Sequence, residues 1–372
     1  MSLAIVGAKL VRSPGLTGDH VRALAAQAGG DLERLCEPEV IAQVDLPPAA
    51  RAFLRNPDYG ALAADVAWLR ASGARLVLWG EPDYPPQLAA TGGSPAALYV
   101  LGSVAALKAP QLAMVGARAA SPVGRAIARE FAGALSHAGL TITSGLAVGI
   151  DAASHEGALA ATGRTIAVLG TGLDRLYPAE NAGLAKRIAG GGTLVSEFAR
   201  GTRPQRGNFP RRNRVISGLS LGTLVIEAAR NSGSLLTARY AAEQGREVFA
   251  VPGPIRSPLS HGCHRLIRDG ACLVEDPVDV LAELGFLQQN QQLDRCFGGG
   301  ASGAVRPPRS GSALDKEYEM LLDALGFEPA TLDALVARSG LSGESIASML
   351  LILELEGRIA PFPGGLYGRL ST

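Results

Sequence analysis

Arg200, Arg203, Arg206, Arg211, Arg212 and Arg214 fall within fifteen positions of a 372-residue chain whose formal net charge is only +1, and no carboxylate lies among them. The positive charge is a local patch rather than a global bias. Pro204, Gly207 and Pro210 interrupt any regular helix through the first half of this stretch, which places several guanidinium groups on an irregular loop. Phe209 stands in the middle with no apolar periodicity around it. Fork-shaped cations around a lone aromatic suit a strand of phosphates with unstacked bases: the arginines take the backbone and the ring takes a base. A solvated basic loop with one tucked-in ring is the plainer alternative. The segment that follows, LGTLVIEA, reads as a buried strand, so the patch lies beside a sheet, where α/β folds place their ligands.

Three glycine-bearing turns, VGARAASPVG (115–124), SGLAVGID (144–151) and GTGLDRLYP (170–178), follow apolar runs and precede helical ones. Glycine lets a ligand approach the backbone, and the amides of the next helix N-terminus favour an anion. A dinucleotide fails two tests: the first turn is not GxGxxG, and the second strand ends in Ser144 and Gly145 where an acid would meet the ribose. Arg118 instead sets a fixed cation at the first turn. No cofactor is expected. Asp151 and His155, four apart, suit an acid/base pair, although tying a helix N-terminus is the commoner use. His261, Cys263 and His264 are metal-capable but have no second cluster at ligand spacing, so no metal is expected. No GxSxG elbow joins a strand run to a helical one, no Walker lysine motif is present, and Ser232 and Ser234 read as helix caps.

These turns need a scaffold. Seven short runs, from LAMVG at 112 to ACLVE at 271, are apolar throughout rather than alternating, the pattern of strands covered on both faces. Helical patterns separate them; in the first, Ile127, Phe131 and Leu135 form one stripe. The reading is α/β, a doubly wound parallel sheet over 111–285. Before it lie an alanine-rich helical domain (1–80, with Asp19 as a helix cap) and an extended connection (81–110). After it come a Gln/Gly/Pro/Ser-rich linker (286–312) and three helical patterns with a glycine-rich hairpin, a winged helix (313–372). Four cysteines without CxxC spacing fit a reducing compartment, and no run reaches the length of a membrane span, so a cytoplasmic location is expected.

The blocks VGARAASPVG, SGLAVGIDAASHEGAL, GTGLDRLYPAEN, SEF, NFPRRNRVISGLS, VIEA, SGSLLTARYAAEQGREVFAVPG and GCHRLIRDGA arrive in order across about 170 residues. Together they resemble the DNA-processing protein A (DprA/Smf) family. The resemblance implies an extended Rossmann-like domain, preceded by a helix-hairpin-helix or SAM-like domain. It also implies single-stranded DNA binding without catalysis, a homodimer, and delivery of the strand to the RecA recombinase in natural transformation. Carried onto this sequence, the strand would be held by Arg118, Phe209, Arg212, Asn213 and Arg214, with Gly116, Ser144 and Gly145 shaping the pocket; Arg206 and Arg211 join them as expected contacts from the arginine stretch. His264 stands where the family has asparagine, and Gly15-Leu16-Thr17-Gly18 departs from the hairpin glycine pattern. The run near Leu266 and Ile267 is the expected dimer interface. GLSLGTLVIE (218–227), with Thr223 and Glu227, also resembles the signature of lysine-decarboxylase-like phosphoribohydrolases, the alternative reading as an enzyme on nucleoside monophosphates. In the C-terminal domain only Lys316 and Arg338 oppose nine carboxylates across 313–357, so this winged helix is expected to meet protein rather than duplex DNA.

Overall fold

The computed structural model describes residues 2–161, 163–286, 316–326, 329–355, 358–362 and 364–369; the expected linker therefore lies, but for Phe286, outside the described residues. The chain divides into two compact units, residues 1–119 with 128–284, and residues 120–127 with 285–372.

The first unit opens with five helices: α1 (Leu3–Arg12), α2 (Gly18–Gln27), α3 (Pro38–Gln43), α4 (Pro48–Arg55) and α5 (Tyr59–Ser72). Thr17, not Asp19, is the N-cap of α2, because His20 one turn on accepts the Thr17 amide at 3.1 Å; Asp19 pairs with Arg22 instead. The helices lead to β1 (Arg75–Leu78), α6 (Pro86–Ala89) and β2 (Ala97–Gly102), then β3 (Gln111–Val115) and α7 (Pro122–His137), of which residues 128–137 belong to this unit. Next come β4 (Thr141–Ser144), α8 (Ile150–Ala161), β5 (Thr165–Val168), α9 (Ala182–Gly191) and β6 (Thr193–Ser196). The unit ends with α10 (Asn208–Leu219), β7 (Gly222–Val225), α11 (Ser234–Glu243), β8 (Glu247–Ala250), α12 (His261–Arg268), β9 (Cys272–Leu273) and α13 (Pro277–Glu283).

All seven expected strands, β3 to β9, form one parallel array in the order β6-β5-β4-β3-β7-β8-β9. Strand order reverses between β3 and β7, the crevice where such sheets bind ligands. Ile166 and Val168 face one layer, Ala167 and Leu169 the other, and all are at most 1% exposed. Burial on both faces explains their unbroken apolar sequence.

Two strands extend the sheet beyond the expected array. β2 pairs antiparallel with β6 and β1 antiparallel with β2, so the stretch read as a connection, and the end of the one read as helical, both join the sheet. Leu98, Tyr99 and Val100 are at most 1% exposed, which stabilises β2 by burial on both sides. The N-terminal helices share a core with the sheet: Val6, Leu10, Leu24 and Leu69 pack in one cluster with Tyr99, Leu169 and Ile188. The hairpin between α1 and α2 is also turned inward. The Gly18 amide donates to Ser94 O at 2.6 Å, and a Cβ on Gly18 would lie 2.6 Å from Trp79.

In the second unit, α14 (Lys316–Leu325), α15 (Leu332–Ser339) and α16 (Gly343–Leu355) accompany a sheet of β10 (Ala330–Thr331), β11 (Ile359–Phe362) and β12 (Leu366–Arg369), in the order β10-β12-β11. Ile346, Met349, Leu350 and Leu353 give α16 a buried stripe over Leu321, Leu325 and Leu335. This is the expected winged helix.

Candidate nucleic-acid interface

The arginine stretch is more ordered than its prolines suggest. α10 begins at Asn208, so Phe209, Arg211, Arg212, Asn213 and Arg214 lie on its first turns, and only the residues before Gly207 form a loop. Pro210 is tolerated because amides of the first turn have no intrahelical acceptor to lose. Successive helical positions point about 100° apart, and the neighbouring arginines therefore separate.

Arg212 turns inward and is 6% exposed. Its Nη1 donates to Val168 O at 2.8 Å and to Gly145 O, and its Nε to Asn213 Oδ1 at 3.0 Å. Burial pulls its pKa down and nearby Arg118 adds to that, while Asp151 opposes both. Arg212, expected to grip the strand, here turns its guanidinium to strand-end carbonyls under the surface. Gly145 is required here, since a Cβ would lie 2.2 Å from Arg212 Nη1. Ser144 is fully buried. Its hydroxyl donates to Met114 O at 2.6 Å and ties β4 to β3. Gly116 fills the corner where β3, β7 and α8 meet, with Ile150 Cγ1 2.6 Å from an added Cβ.

Asp151 and His155 do not form an acid/base pair. The Asp151 carboxylate accepts the amides of Gly145 at 3.2 Å and Ala147 at 3.3 Å, and burial raises its pKa against the pull of Arg212. His155 Nδ1 lies 2.7 Å from Thr165 Oγ1, whose own proton goes to Ile142 O, so the imidazole donates. Burial, helped by Arg212, pushes the His155 pKa down to about 3. Near the last block, His264 Nε2 lies 2.9 Å from Gly253 O and ties α12 to the preceding loop, and burial pushes the Cys263 thiol up to about 12. No cluster of three metal-ligating side chains occurs among the described residues. In the segment behind the phosphoribohydrolase alternative, Thr223 is fully buried in β7, and the Glu227 carbonyl accepts the Ala117 amide at 2.8 Å.

What faces solvent beyond the ends of β3 and β5 is a cation over a ring. The exposed Arg118 guanidinium lies 5.6 Å from the centroid of the half-buried Phe209 ring. Tyr177, 44% exposed, is tilted against Phe209 with centroids 5.8 Å apart. Gly170 lets the ring settle, since a Cβ there would lie 3.1 Å from it. Tyr177 escaped the sequence reading; the signal was an aromatic inside the polar, glycine-rich turn GTGLDRLYP. A second group lies along α10. Arg211, 57% exposed, lies 5.1 Å from the Phe198 ring centroid and 3.3 Å from Glu197 Oε2. The largely buried Arg214 pairs with the same oxygen and with Gly93 O. Asn213 Nδ2 reaches Gly233 O at 3.4 Å. Arg203 and Arg206 are exposed and, like Arg118, have no carboxylate partner among the described residues.

The chain is similar to known proteins over most of its length. The sequence profile of DNA recombination-mediator protein A covers residues 75–285, and that of the DprA winged helix domain covers 305–365. The chain belongs to the DprA family. It is 45% identical to protein Smf of Escherichia coli K12 over 322 residues, 86% of this chain and 84% of that protein. It is 46% identical to DNA processing protein DprA of Streptococcus pneumoniae over 203 residues, 55% of this chain and 72% of that protein. The crystal structure of the S. pneumoniae DprA aligns with a TM-score of 0.65 at 34% identity, covering 76% of this chain and 98% of that one. DNA processing protein A of Helicobacter pylori, solved for its single-stranded DNA binding mode, aligns with a TM-score of 0.52 at 27% identity, covering 58% of this chain and 96% of that one.

Proposed function

We propose that this DprA-family chain binds single-stranded DNA without sequence preference and serves, as a homodimer, to protect the strand and load RecA onto it in natural transformation and recombination. The carrying observation is the exposed Arg118 guanidinium over the Phe209 ring, against which Tyr177 is tilted, beyond the ends of β3 and β5. A fixed cation beside two ring faces suits phosphates and unstacked bases of any sequence. The single-strand binding of the H. pylori relative supports the same assignment. Arg206, Arg211 and Arg203 extend the positive surface; Gly116, Ser144, Gly145 and Arg212 act by holding its shape.

The protein is a binder and not an enzyme in this reading. Incubation with nucleoside monophosphates releases no free base; release that depends on Glu227 would replace it with the phosphoribohydrolase alternative. Leu266 and Ile267 are assigned to the dimer face, supported by an open groove of about 730 Å³ that Leu266 lines with Leu235, Leu236 and Ala271. The winged helix is assigned to protein contacts, supported by Leu351 and Ile352 on α16, 59% and 42% exposed. The cytoplasm is the proposed compartment, in keeping with the unbridged Cys36 and Cys263. The test is a mobility shift on single- and double-stranded oligonucleotides at two salt concentrations. With about four phosphates neutralised per protomer, log K falls against log salt with a slope near −3. Equal affinity for duplex and single strand, or no salt dependence, refutes the proposal.

A further inference from the structure

The loop that carries Arg203 and Arg206 is fastened at its base to the turn that carries Tyr177. The Gly172 amide donates to Thr202 O at 3.1 Å, and the Gly201 amide donates to Asp174 Oδ1 at 2.9 Å. Arg12 adds a third tie, from Nη2 to Arg200 O at 3.3 Å. These bonds stop at Thr202. Residues 203–207, which follow, are exposed and include both arginines.

The far end of that stretch is closed by Asn208, the first residue of α10 and only 8% exposed. Its Nδ2 donates to Gly170 O at 3.1 Å and to Arg203 O at 3.4 Å, and its own amide donates to Gln205 O at 3.0 Å. Gly170 opens the turn after β5, against which the next side chain in the sequence rests: a Cβ on Gly170 would lie 3.1 Å from Phe209 Cδ1. One buried side-chain amide therefore ties the turn under the ring to the start of the arginine stretch, from the position that precedes the ring itself. Shielded from water, these bonds hold their geometry without competition from solvent.

We propose that Asn208 is a positioning residue for single-strand binding, which sets the Phe209 ring against the Gly170 turn and closes the arginine loop before any nucleotide arrives. The proposal rests on the single-strand reading of the Arg118 face and deepens it. Asn208 acts through Phe209 and the loop, not by touching the strand. A ring and a loop already held in their bound arrangement need not be ordered when DNA binds, so affinity rises without any added contact.

The test is fluorescence anisotropy of the full chain with a labelled 20-mer of deoxythymidine, run as a double-mutant cycle of Asn208→Ala and Phe209→Ala. Asn208→Ala alone weakens binding roughly tenfold, the size expected from having to order one ring and a short loop on binding. In the Phe209→Ala background the same substitution weakens it by at most about threefold, the part that belongs to the loop. An asparagine with a merely structural role gives the same loss in both backgrounds. Thermal unfolding shows that each variant is folded; if Asn208→Ala is not, Asn208→Ser, with one hydroxyl donor for two carbonyls, runs the same cycle. Wild-type affinity in the folded variant, or an equal loss in both backgrounds, overturns the positioning role, and a loss on Arg118→Ala in the same assay leaves the Arg118 face standing. No oligonucleotide binding by the unsubstituted protein overturns both.

Discussion

Replacing Arg212 with alanine tests whether this arginine holds the site together or touches the strand. The guanidinium donates to Gly145 O and Val168 O from a position only 6% exposed and offsets the buried Asp151 carboxylate. Removing one partner of such a buried arrangement costs about 3–5 kcal/mol, because the carbonyls and the remaining charge stay buried without compensation. A lysine supplies a charge but no planar fork, and recovers only part of that loss. Both tryptophans, Trp68 and Trp79, lie in the first unit, so their fluorescence in a urea titration reports the unit that contains Arg212. The expected result is a fall of about 3–5 kcal/mol for Arg212→Ala at unchanged m. A stability change below about 1 kcal/mol, combined with a shallower salt dependence of DNA binding, refutes the structural assignment and makes Arg212 a phosphate ligand.

Arg118→Ala, by contrast, leaves the urea midpoint unchanged and reduces the salt slope of single-strand binding by about 0.7, equally for all sequences. Phe209→Ala and Tyr177→Ala each weaken single-strand binding by roughly 1–3 kcal/mol, read by fluorescence anisotropy, and a loss at Phe209 alone shows that Tyr177 only supports it. His155 gives a pH signature. With a folded pKa of about 3, against an ordinary value near 6.5, the unfolded state binds the extra proton between these values. Stability contributed by the neutral imidazole is present above pH 6.5 and falls by about 1.4 kcal/mol per pH unit below it, down to about pH 3. Acid titration of His155→Gln lacks this component; identical titrations for both proteins refute it.

The sequence by itself determined the scaffold and the neighbourhood of the site. Seven short, mostly apolar runs without alternation fit strands covered on both faces, and their alternation with helices fits a parallel, doubly wound sheet. Three helical patterns and the glycine-rich end marked the winged helix in the same way, and the arginine cluster was visible as charge density. Those signals are local, carried by spacing along the chain. Tertiary structure decided which cation faces what. Because α10 starts at Asn208, its rotation sends Arg212 to carbonyls some 44 and 67 residues away and leaves Arg211 at the surface. Arg118 and Tyr177 meet Phe209 from two other turns, and β1 and β2 join the sheet only because β6 offers an edge to pair with. Such pairings depend on the direction of a side chain and the proximity of a distant strand, neither of which residue spacing encodes.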